Sequence, residues 1–216
     1  VQTCALPIFM KYALSVVGLW LVMCGCGLFG CLPIRAAAAE QQPVPQYSRW
    51  PMGYVKDDWR VWFRGRELHD VSASTFVDLG GDYGKDAWRV FFAGEEIRDA
   101  AASSFEVLGN GYARDAWRVY FCGSAVEGAA VQSFSLLRDG YARDAWTVFW
   151  AGQPLREASV SSFEELADGY ARDAWTVFWC GEPLEGADAA SFEVLGRGYA
   201  RDAWGRWFRG QRISSR

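Results

Sequence analysis

The chain has 216 residues, 51% of them apolar, 16% aromatic and 22% charged, which is enough apolar material for a packed core and too much for intrinsic disorder. The formal charge is −4; residues 1–39 hold Lys11 and Arg35 but no acid, so the rest carries 20 of the 22 bases against all 26 acids, which argues against a nucleic-acid partner. A single histidine, His69, makes a histidine-based triad or a multi-histidine zinc site hard to assemble, and the composition points away from an enzyme.

Residues 1–9 open with Val1–Ile8, VQTCALPI, which resembles a translated sequencing adapter and is expected to be an artefactual extension ahead of a natural start at Met10. From Met10 and Lys11 the chain enters an uncharged apolar run, Tyr12 to Ile34, so residues 10–39 are expected to be an export signal. Three endings compete. Ala37-Ala38-Ala39 suits ordinary signal peptidase ahead of Glu40, Leu28-Phe29-Gly30-Cys31 resembles a lipobox with Cys31 as the lipidated residue, and the run is about 20 residues long, enough to stay as a membrane anchor. All three place the body outside the cytoplasm, with membrane contact only through this segment or its lipid. Residues 40–53, with Pro43 and Pro45 beside Gln41 and Gln42, read as a semi-stiff linker.

Residues 54–216 repeat with a period of 29. Trp59, Trp88, Trp117, Trp146, Trp175 and Trp204 mark six units without insertion or deletion, and Tyr54 and Gly65 head columns with the same step. In the third unit, Trp117-Arg118-Val119-Tyr120-Phe121 reads as a strand that stops at Cys122-Gly123, with Tyr112-Ala113-Arg114 as its partner across a bend at Asp115-Ala116. The connector Ala129–Leu137 has large apolar residues three and four apart, which predicts a short helix. Its last counterpart, Asp188–Gly196, starts on a capping Asp and ends on Gly. The expected fold is therefore an α+β repeat: six units of short β-hairpin plus short helix, stacked as an open solenoid-like array, with a closed propeller-like ring as the alternative.

The run Asp115-Ala116-Trp117-Arg118-Val119-Tyr120-Phe121-Cys122-Gly123, with Ser133-Phe134 and Leu137 beyond it, resembles the DKNYY family of bacterial repeat proteins over Tyr54 to Ile213. Ala116 and Trp117 stand where the namesake pattern has Lys and Asn. The resemblance implies an exported bacterial protein of unknown function and supplies no catalytic residue to carry over.

Two columns invite functional readings. Asp57, Asp86, Asp115, Asp144, Asp173 and Asp202 form an acidic ladder, each preceded by a base; turn closure and inter-repeat ion pairing are expected there rather than calcium. Strict strand alternation puts Trp117, Val119 and Phe121 on one face, which makes the tryptophan column structural core. The other face holds Trp62, Phe91, Tyr120, Phe149, Phe178 and Trp207, a candidate binding stripe for sugar rings or an extended peptide unless helices cover it. No cofactor or metal is expected. The function expected is that of a non-catalytic binding or scaffolding protein of the bacterial cell envelope, with an envelope protein or glycan as partner; an envelope hydrolase is the rival.

Overall fold

The computed structural model describes residues 53–213. The expectations for residues 1–9, for the signal at 10–39 with Cys31, and for most of the linker lie outside the described residues. Within the described residues the chain is almost entirely β.

Six separate antiparallel sheets follow one another, spanning Tyr54–Leu68, Val77–Glu96, Glu106–Ala125, Ser135–Leu155, Glu164–Pro183 and Glu193–Ile213. The first has three strands and the others four, paired in chain order. In the third sheet the strands are Glu106–Gly109, Tyr112–Arg114, Val119–Phe121 and Ser124–Ala125. The tyrosine strand and the valine strand pair with Tyr112 opposite Phe121 and Ala113 opposite Tyr120. Strands of only two to four residues let four of them fit into a 29-residue unit.

The expected hairpin-plus-helix unit is corrected by this arrangement, and with it both the open array and the closed ring built from such units. Where Ala129–Leu137 was expected to be helical, a single 3₁₀ turn at Val131–Ser133 is followed directly by a strand at Ser135–Leu136. In Asp188–Gly196, turns lead into the strand Glu193–Gly196. A nine-residue segment is too short to hold a helix against competing interactions. Here the competitors are strand pairing, as in Glu106 opposite Arg114, and side chains from both flanking sheets. Lys85 donates to the carbonyls of Ala102 and Phe105, while the Ala101 amide donates to Asp115.

Each sheet packs on the next through a cluster that draws on both. Tyr112, Val119, Val126 and Phe134 meet Ala142 and Phe149 between the third and fourth sheets, and the other four junctions repeat the pattern. The connector phenylalanine lies between the sheets: Phe105 is 5.6 Å from the Tyr83 ring and 5.5 Å from the Tyr120 ring. Every inner sheet thus buries both faces.

A second link fixes the register between units. The Tyr112 hydroxyl donates to the Gly140 carbonyl (3.3 Å) and accepts from the Gly152 amide (2.8 Å), bridging the two hairpin turns of the next sheet. Tyr54, Tyr83, Tyr141 and Tyr170 do the same one unit apart. The Ala151-Gly152 turn has φ of 47° and 78°, the mirror-image geometry that suits the twist of a tight hairpin. A Cβ on Gly152 would sit 2.6 Å from Cβ of Phe121. The glycine column therefore answers two demands at once, a left-handed backbone and close approach to the preceding sheet.

Candidate binding surface

The turn that follows each tyrosine strand is built around its aspartate. Oδ1 of Asp115 accepts from the amides of Trp117 (2.8 Å) and Arg118 (2.7 Å). Oδ2 accepts from the Ala101 amide and from the Tyr120 hydroxyl, both at 2.9 Å. The remaining amide of the turn, that of Ala116, donates to Ser104 Oγ. Asp144 and Asp173 repeat the backbone part of this scheme with Ala130 and Ser159, while Phe149 and Phe178 stand where Tyr120 adds its hydroxyl. Burial alone would raise the Asp115 carboxyl, but three backbone amides and the tyrosine hydroxyl outweigh it and hold the group below its ordinary 3.8.

The bases that precede these aspartates do not pair with them as expected. Lys56, Lys85, Arg114 and Arg172 instead reach forward to carbonyls of the next connector, Lys56 to Ala73 and Phe76 and Arg172 to Ala189 and Phe192. Acid and base thus hold different connectors, one behind the turn and one ahead of it. His69 is exposed.

The two aromatic columns exchange roles relative to the sequence reading. The candidate stripe of Trp62, Phe91, Tyr120, Phe149, Phe178 and Trp207 is buried, none of it more than 9% exposed, and from Phe91 onward these side chains face the preceding sheet and its connector. The expected core column is the exposed one. Trp59, Trp88, Trp117, Trp146, Trp175 and Trp204 are between 73% and 84% exposed. The strand begins only at Val119, so Trp117 lies in the turn and the alternation that placed it beside Val119 does not reach it. No sequence signal separated these cases except that Trp117 directly follows the turn-forming Asp115-Ala116 pair.

The result is a ladder of six indoles on turn tips, each carried to the next by the step that carries one sheet to its neighbour, with the turn amides engaged from the second unit to the sixth. Between the Asp115-Ala116 turn, the Glu106–Arg114 ion pair and Val131-Gln132 of the next connector lies an open depression of about 270 Å³. Carboxylate, guanidinium, amide and hydroxyl groups line it. Among the described residues no group of three or more His, Cys, Asp or Glu is placed to hold a metal.

The model of the DKNYY family matches residues 54–178 and, starting one 29-residue unit later, residues 83–211. The chain belongs to the DKNYY family. No curated protein and no solved structure matches it. Against the DKNYY pattern, the two altered positions, Ala116 and Trp117, fall at the exposed turn, where they replace polar side chains with a small residue and an indole. The aromatic pair Tyr120-Phe121 falls in the core between sheets.

Proposed function

We propose that this DKNYY protein is an exported, non-catalytic binding protein of the bacterial cell envelope, and that it holds its partner on the tryptophan ladder. The observation that carries the reading is the exposure of all six indoles. A large aromatic side chain left in water at six equivalent places costs solubility and, at these positions, contributes nothing to the core, whereas aromatic residues held on a rigid frame are what binding surfaces enrich. Matched sites repeated along stacked units favour a partner that is itself long and repetitive. The uncharged segment from Tyr12 to Ile34 supports export.

The test is co-sedimentation of the chain with purified bacterial envelope. A triple variant, Trp117→Ala, Trp146→Ala and Trp175→Ala, is expected to stay in the supernatant while keeping the unfolding midpoint of the parent. Equal pelleting of parent and variant overturns the reading. Expression from Met10 in a bacterial host adds the second arm, with a mature terminus at Glu40 or a lipid-modified Cys31 expected by mass spectrometry and an intact cytosolic chain counting against export.

A further inference from the structure

Resting on the ladder as the binding surface, we infer that its ligand is a linear β-1,4-linked polysaccharide, with successive tryptophans stacking on every second sugar ring. Spacing is the first support. Packed sheets lie about 10 Å apart, in keeping with the two ring contacts of 5.6 and 5.5 Å that separate Tyr83 from Tyr120 across Phe105. That step is of the same order as the disaccharide repeat of a β-1,4-linked chain, an extended ribbon in which alternate rings present the same face. The apolar C–H face of a pyranose is a flat partner for an indole, and an indole needs no apolar neighbour to hold it.

The surroundings of the third unit's turn point the same way. Trp117 directly follows Asp115 and Ala116, which line a depression together with Glu106, Arg114, Gln132 and Ser104. A carboxylate accepts from sugar hydroxyls, a guanidinium and an amide donate to them, and the exposed Gln132 lines the depression. Ion pairs at the same place recur in later units, Arg172 with Glu164 and Arg201 with Glu193. An exposed indole next in sequence to a polar hollow suits a ligand that is apolar on its ring faces and hydroxylated at its edges. Hydrocarbon fits it poorly. The surplus of acid over base in residues 40–216 disfavours nucleic acid and anionic lipid.

The probes are cello- and chito-oligosaccharides of two, four and six sugars and solubilised glycan strands of peptidoglycan, titrated into the full chain by calorimetry. Affinity is expected to climb on the order of tenfold or more from the disaccharide to the hexasaccharide, as each added pair of rings meets a further tryptophan. Trp117→Ala with Trp146→Ala should lower hexasaccharide affinity by about tenfold or more. Gln132→Ala, which leaves the ladder intact, should lower it by a smaller factor. Affinity independent of chain length, or unchanged in the double variant, overturns the inference. So does the absence of saccharide binding, whether or not a proline-rich peptide or anionic vesicles bind instead. Ladder-dependent pelleting without saccharide binding would remove this inference alone, whereas ladder-independent pelleting would remove the proposed function.

Discussion

At the scale of single residues, two positions two residues apart behave oppositely. Trp117 is 79% exposed and Val119 is 1% exposed. Trp117→Ala is therefore expected to change unfolding free energy by no more than about 0.5 kcal/mol, while Phe149→Ala, which empties a site with no exposed surface, should cost about 3–5 kcal/mol; paired denaturation curves measure both. The tyrosine hydroxyls are equally specific. Tyr112→Phe keeps the ring but strands the Gly140 carbonyl and the Gly152 amide, for an expected loss of about 1–3 kcal/mol. These groups also set the pH limits. Burial pushes the Tyr112 phenol from its ordinary 10.0 up to about 12, and a group raised on folding contributes stability that is whole below its unfolded value and disappears as pH climbs through the folded one. Stability should fall between pH 10 and 12. Asp86, Asp115 and Asp202 are lowered below 3.8, so their contribution is whole above that value and is lost as pH falls beneath it; denaturant midpoints across both ranges show whether the two edges are there.

At the scale of elements, the turns were more legible than what lies between them. The period, the aspartate that closes the first turn and the glycine that closes the second could all be read, because each rests on local geometry: Asp115 bonds amides two and three residues on, and Gly152 needs a positive φ. The connectors were not legible. Apolar residues three and four apart over Ala129–Leu137 fit one helical turn as well as a 3₁₀ turn followed by a strand, and the deciding interactions are non-local, such as Asp144 accepting from the Ala130 amide fourteen residues earlier. The exposed tryptophan column was missed for a related reason, since strand alternation was extended over two turn residues. One substitution separates the local from the non-local demand on glycine. Gly152→Ala meets Phe121, whereas a Cβ at Gly80 meets nothing within 4 Å although φ there is +80°. Gly80→Ala should cost only the backbone strain, roughly 1 kcal/mol, and Gly152→Ala a further amount of about 1–3 kcal/mol for overpacking, read as a difference in unfolding free energy.

Across the whole repeat region, each core cluster joins one sheet to the next, so stability is divided over five junctions in series. Such an array unfolds by nearest-neighbour rules. Among the described residues the sixth sheet is held on one side only: Tyr199, at the position of the buried Tyr170, is 46% exposed. Its attachment runs through the cluster of Tyr170, Val177, Phe192 and Trp207, with Phe192 between the Tyr170 ring at 5.4 Å and the Trp207 ring at 6.5 Å. Phe192→Ala should therefore release the sixth sheet ahead of the rest. Amide exchange of Ala200 and Trp207 should accelerate strongly, while Val90 and Val119, three and two junctions away, keep the protection of the parent chain. Phe134 lies at the middle junction, between the rings of Tyr112 and Phe149, and its removal has a different consequence. Phe134→Ala uncouples three sheets from three, so the single unfolding transition should broaden or divide. Exchange that rises uniformly over all six sheets in both variants would mean that the junctions are not independent. The ladder would then rest on one indivisible core rather than on a series of separable steps.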